Sequence, residues 1–245
     1  MNPPVKKKNT FIITPLHLIS LAFLLLLVSC VPATHVTDIK PITDYLKINE
    51  SSQALIVTNN CPSSFIVNIY ALEKKGGKWK KVQESIDGVI GKNGFAKPGE
   101  KREGDGKSPS GIFPLKMAFG YSESIQTKMP YLQALPDDLW IDDVNAADYN
   151  HWVKKEATQA ASYEKMKRDD NLYKYGIVIE YNTDPVIKGY GSAIFFHIWR
   201  GENMATQGCV AVSEDNIIRI LDWLDPLNSP LIIMGTENIM ERLIR

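Results

Sequence analysis

Residues 191–213, GSAIFFHIWRGENMATQGCVAVS, decide how this chain is read. The apolar run predicts a strand over residues 192–198 that ends in His197, and a cysteine, Cys209, follows twelve positions later, directly after a glycine. A strand holds an imidazole rigidly, and Gly208 lets the backbone turn sharply and leave amide N–H groups bare beside the thiol. A nucleophile (Cys209), a base (His197) and an oxyanion cradle made of the Gly208 and Cys209 amides are therefore expected to meet in one place. Of the other histidines, His17 and His35 lie near the N-terminus, and His151 sits among surface-type polar residues.

Working outward, Ser213 is placed to cap a helix over residues 214–224, with Glu214 and Asp215 complementing its positive end and Ile217, Ile220, Leu221 and Leu224 forming its buried stripe. Pro226 and Pro230 stop it, and residues 231–234 read as a last core strand. Upstream, residues 54–58 and 65–73 are rich in β-branched and aromatic side chains, and Lys75-Gly76-Gly77-Lys78 is a turn before residues 79–82, so a hairpin is expected. Residues 88–114 are rich in glycine and proline and predict loops. Residues 129–172 interleave Trp140, Tyr149, Trp152 and Tyr163 with aspartates and read as an insertion, with residues 156–168 its best helical piece. Residues 175–181 predict a strand. The expected class is mostly β (α+β), with edge helices and an inserted helical or loop segment.

The chain has 245 residues, of which 44% are hydrophobic, enough for one catalytic domain with a real core. Its 28 basic and 28 acidic side chains balance, so no global field draws it to nucleic acid. Residues 1–29 carry Lys6, Lys7 and Lys8 before an apolar stretch and read as an export signal. The segment Leu27-Val28-Ser29-Cys30 resembles the lipobox of bacterial lipoproteins, which implies a lipid on Cys30, a membrane anchor and a tether over residues 30–50 ahead of a domain over residues 51–240. Cys61, in the turn-like Asn59-Asn60-Cys61-Pro62, is read with Cys209 as a second free thiol, and the domain as a monomer.

The His197–Cys209 segment, with its Thr-x-Gly-Cys-Val end, and residues 103–113, EGDGKSPSGIF, resemble two stretches of the L,D-transpeptidase catalytic (YkuD-type) domain, the second being similar to GDGKTPxGxF. The resemblance implies a β-sandwich or barrel-like core and needs neither cofactor nor metal. Together with the lipobox it implies a lipid-anchored cell-envelope enzyme that acts on peptidoglycan stem peptides. Cys209 would attack the carbonyl of the third residue of a tetrapeptide stem and expel D-alanine, and an amine of a second stem would resolve the thioester. Water in place of that amine makes an L,D-carboxypeptidase or a hydrolase of wall-linked peptides, and loss of chemistry leaves a peptidoglycan-binding lipoprotein. Thr206, Gln207, Trp199 and Arg200 are the expected substrate contacts. The family's Arg or Asn two positions after the cysteine is Ala211 here, and Arg200 is the expected substitute because a guanidinium clamps a carboxylate through two hydrogen bonds. Asp142 and Asp143 lack a histidine or cysteine at ligand spacing and read as a solvated acidic face. The insertion is expected to be a lid or groove wall that serves substrate choice more than thiol reactivity.

Overall fold

The computed structural model describes residues 51–238; the export signal, Cys30 and the tether lie outside them. Strand β1 (Gln53–Asn59) is buried at every position, because it lies between two neighbours and is covered on both faces. It pairs antiparallel with β2 (Ile66–Lys75) and parallel with the last strand, β13 (Leu231–Thr236), which explains why both read as near-continuous apolar runs. The remaining main strands are β3 (Lys78–Lys81), β4 (Ile86–Val89), β5 (Gly111–Gly120), β10 (Tyr175–Ile179), β11 (Phe195–Ile198) and β12 (Val210–Val212).

The order β1-β13-β5-β10-β11-β12-β4-β2 returns to β1 and closes the sheet into a barrel-like ring, with β3 added to β2 and β6 (Tyr131–Gln133) added to β5. Closure leaves these eight strands without an unpaired edge. The expected hairpin is β2–β3, turning at Gly76-Gly77. Residues between β4 and β5 form loops, as the glycines predicted.

Side chains alternate along the closing strands. Phe196 and Ile198 of β11, with Val210 and Val212 of β12, enter one large core with Leu55, Ile69, Ile177 and Met234. Helix α1 (Glu214–Trp223) contributes Ile217, Ile220 and Leu221 to the same core, and Leu224 follows them. Ser213 occupies the N-cap position, but its hydroxyl makes no capping bond; its carbonyl accepts the Asn216 and Ile217 amides.

The other face of β11 carries Phe195 and is covered by the insertion. There β7 (Asp138–Ile141), β8 (Trp152–Lys154) and β9 (Tyr163–Lys165) form a separate antiparallel sheet in the order β8-β7-β9. The helix expected over residues 156–168 is therefore absent. A 3-10 turn at Lys155–Ala157 is followed by β9, whose Glu164 pairs with Trp140. Only Met166 of that stretch is deeply buried, so a helix there would have no apolar stripe to dock, and tertiary pairing overrides propensity. Trp140 and Met166 pack with Phe119, Tyr173, Phe195 and Cys209 in a second cluster. The Trp140 ring meets Phe195 edge-to-face at 5.0 Å, and Phe119 meets Phe195 at 5.3 Å. The insertion is thus fastened to the barrel by an aromatic layer. Trp140→Ala is expected to cost about 3–5 kcal/mol, read as a lower urea midpoint with an unchanged m-value; an unchanged midpoint would show that the layer carries no stability.

Candidate active site

The parallel register of β11 on β12 sets Phe196 against Val210 and His197 against Ala211. His197 and Cys209 therefore share a face, one side-chain row apart, about 6.6 Å along the strand direction by the rise per residue. Both line a cavity of about 320 Å³ that opens between the barrel face and the insertion.

Cys209 is a buried free thiol. Its Sγ donates to the Ala193 carbonyl at 3.2 Å and accepts the Phe195 N–H at 3.4 Å. Burial pushes this thiol up to about 12, and the Phe195 N–H and the Lys101 charge only partly oppose that. No direct bond joins the thiol to His197 among the described residues: the thiol proton rests on the Ala193 carbonyl instead.

His197 Nδ1 lies 2.7 Å from the Ile198 carbonyl, which can only accept, so Nδ1 carries the proton and Nε2 keeps its lone pair. Burial pulls the imidazole down to about 4, and Tyr173 packs edge-on against it at 5.2 Å. The resting pair is a neutral thiol and a neutral base.

The loop before Cys209 is held from two sides. Thr206 Oγ1 donates to the Cys209 carbonyl at 2.6 Å and accepts the Gly208 amide at 3.1 Å. Ser108, fully buried in the EGDGKSPSGIF stretch, donates to the Gly208 carbonyl at 2.6 Å and accepts the Gly91 amide at 3.0 Å. The two family-like stretches, about a hundred positions apart, are physically joined here.

These bonds revise two expectations. The Thr206 hydroxyl is spent on the loop and is not a free substrate contact. The Gly208 N–H is spent on Thr206, which leaves the Cys209 amide of the expected pair for an oxyanion. Gln207 and Arg200 are exposed and Trp199 half-buried, and all three line the cavity. Ala211 is fully buried in the sheet. His151 is exposed and turned to the Tyr149 carbonyl, away from the cavity lining.

Several residues in or beside the cavity were not among the expected site residues. Glu103 accepts hydrogen bonds from Tyr149 at 2.5 Å and Ser192 at 2.6 Å. Asn150, in the insertion, accepts from the Ala193 amide at 3.1 Å and from Trp140 at 2.8 Å. Ala193 is held there at φ 52°, a conformation uncommon for a residue other than glycine. The insertion thereby holds the very residue whose carbonyl receives the Cys209 proton, so it is a support of the thiol as well as a groove wall. Asp142, Glu164 and Arg168 from the insertion also line the cavity, and burial raises the Asp142 and Glu164 carboxyls. Asp142 accepts from Ser162 and so is not simply solvated. Among the described residues no group of histidine, cysteine and carboxylate side chains is arranged to hold a metal. Cys61 is disulfide-bonded, which corrects its reading as a free thiol; a disulfide is at home in an oxidising compartment.

The model of the YkuD family, the L,D-transpeptidase catalytic domain, matches residues 80–236. The chain belongs to this family. A search of the curated proteins finds no match. Two solved structures are similar to the YkuD-family chain. The helical cell shape determining protein Pgp2 from Campylobacter jejuni is 15% identical, with a TM-score of 0.38, covering 80% of this chain and 54% of that one. Bd1075 from Bdellovibrio bacteriovorus is 14% identical, with the same TM-score and coverage. The chain spans about half the length of these two structures.

The depressed His197 value makes stability depend on pH with a definite sign. The unfolded chain takes up a proton near the ordinary 6.5, whereas the native imidazole refuses it until about 4. Over that window the unfolded state binds more protons, and stability falls as pH falls. His197→Gln, which lacks this linkage, is expected to lose less melting temperature than the wild type between pH 7 and pH 4. A constant gap between the two across that range would contradict a buried neutral imidazole.

Proposed function

We propose that this YkuD-family protein is a cysteine-dependent L,D-transpeptidase that works on peptidoglycan tetrapeptide stems. The observation that carries this reading is a free thiol and a neutral imidazole, on adjacent strands of the family's catalytic domain, lining one cavity.

The thiol turns from the Ala193 carbonyl toward His197, whose Nε2 takes the proton as Sγ bonds to the carbonyl carbon of the third stem residue. The carbonyl π electrons move onto oxygen, beside the Cys209 amide. Collapse of the tetrahedral adduct breaks the C–N bond, and His197 returns its proton to the departing D-alanine amine. An amine of a second stem then attacks the thioester, gives a proton to His197 and expels the sulfur, which takes that proton back. A thiol raised by burial needs such a base at hand; the Nδ1 bond to Ile198 aims the tautomer for the task.

Export and a lipid on Cys30 belong to the same proposal. Intact-mass measurement on the membrane fraction tests the anchor: a diacylated Cys30 supports it, and an unlipidated chain overturns it.

Incubation with purified disaccharide-tetrapeptides followed by mass spectrometry tests the reaction. Cross-linked dimers short of one D-alanine are expected from the wild type and none from Cys209→Ala. His197→Ala is expected to fall by about a hundredfold or more. Tripeptides alone would replace the transpeptidase reading by the carboxypeptidase one, and no product from folded protein would leave a peptidoglycan-binding lipoprotein.

A further inference from the structure

Gly208 has given its N–H to Thr206, so the developing oxyanion has one amide, that of Cys209, where such sites ordinarily supply two donors. The missing donor has a candidate on the wall of the same cavity. Lys101 is 4% exposed and lines the cavity with Gly208, Cys209 and Ser192. An ammonium carries three N–H donors. Two are accounted for, by the Arg102 carbonyl at 2.7 Å and by Asp105 Oδ1 at 2.7 Å. The third has no partner among the described residues. Burying an ammonium is costly unless its donors are used.

Two glycines make room for this side chain beside the thiol loop. A Cβ placed on Gly191 would lie 3.1 Å from Lys101 Cε and 3.3 Å from Nζ, and one on Gly208 would lie 3.8 Å from Cε. Both glycines have positive φ, 101° and 154°, so the absence of a side chain serves the backbone and clears a channel for Lys101 at once. Asp105 is itself fixed by the Arg102 and Lys107 amides, each at 2.8 Å, and so holds the lysine without following it into the cavity. Arg200, by contrast, is exposed.

We propose that Lys101 is the second oxyanion donor of this site: its third N–H and the Cys209 amide together receive the substrate carbonyl oxygen as it becomes negative. This rests on the acyl-transfer reading above. Lys101 transfers no proton. It donates a charge-assisted hydrogen bond while Sγ bonds to carbon and His197 holds the thiol proton, and the bond relaxes when the C–N bond breaks and the carbonyl re-forms.

The test compares wild type, Lys101→Met, Asp105→Asn and the double variant, in which both members of the buried pair are neutral, so that no charge is stranded. The readouts are melting temperature, acylation kinetics on the disaccharide-tetrapeptide, and alkylation of Cys209 by iodoacetamide, which forms no oxyanion. The double variant is expected to fold, to lose about a hundredfold or more in kcat with KM within about threefold, and to keep its alkylation rate within about tenfold. Asp105→Asn alone, which strands the buried ammonium, is expected to lower the melting temperature more than the double variant does. Acylation and alkylation falling together would overturn the proposal, because Lys101 would then act on the thiol. A raised KM at unchanged kcat, or a folded double variant as fast as wild type, would overturn it too. If the wild type itself is acylated by no stem, the acyl-transfer reading fails first; if the wild type is acylated and the double variant matches it, only the role of Lys101 fails.

Discussion

The parallel pairing of β11 with β12 is the constraint on which the site depends. Its register sets His197 against Ala211 and leaves Cys209 one row away on the same face. Because side chains alternate with a period of two, a slip of one residue would turn the thiol into the core that holds Val210 and Val212 and carry those valines outward. The apolar residues on the inner face therefore do two things. They bury the barrel interior, and they forbid the slip that would separate the thiol from the imidazole.

A neutral thiol and a neutral imidazole follow from how that outer face is covered. The insertion seals it with Trp140, Met166 and neighbouring rings, and burial moves both groups toward their uncharged forms. The same insertion reaches further in, because Asn150 holds Ala193 and Ala193 holds the thiol proton. Support for the nucleophile and the shape of the groove are thus one construction. Charge enters from the glycine-rich loop, where the buried Lys101 pairs with the half-buried Asp105 and Ser108 pins the loop to the thiol loop.

Much of this was legible in the chain. Strong apolar runs predicted β1, β2, β10, β11 and β13, since a strand covered on both faces needs little besides β-branched and aromatic residues. The hairpin was written in Gly76-Gly77, and α1 in the spacing of Ile217, Ile220 and Leu221. The insertion was misread at residues 156–168, where a helix-favouring composition yields to pairing with β7. A local propensity of tenths of a kcal/mol per residue loses to a strand partner and to one well-buried methionine. Lys101 and Asn150 gave no signal, and Glu103 stood in the family-like stretch without a role, because charged and polar residues in a loop look solvated until the fold shows what covers them.

A mostly β domain, a candidate nucleophile and base, and two separated stretches that resemble one family were legible in the chain alone, since alternation, glycine placement and residue chemistry are local properties. Which donors remain for a carbonyl oxygen, which Cys209 neighbour holds its proton, and that the insertion supports the thiol follow from the tertiary structure alone. Those depend on hydrogen bonds between residues tens to about a hundred positions apart. Each backbone N–H offers one hydrogen, and an ammonium three, so what is left for a substrate is known only after the protein has taken its own share.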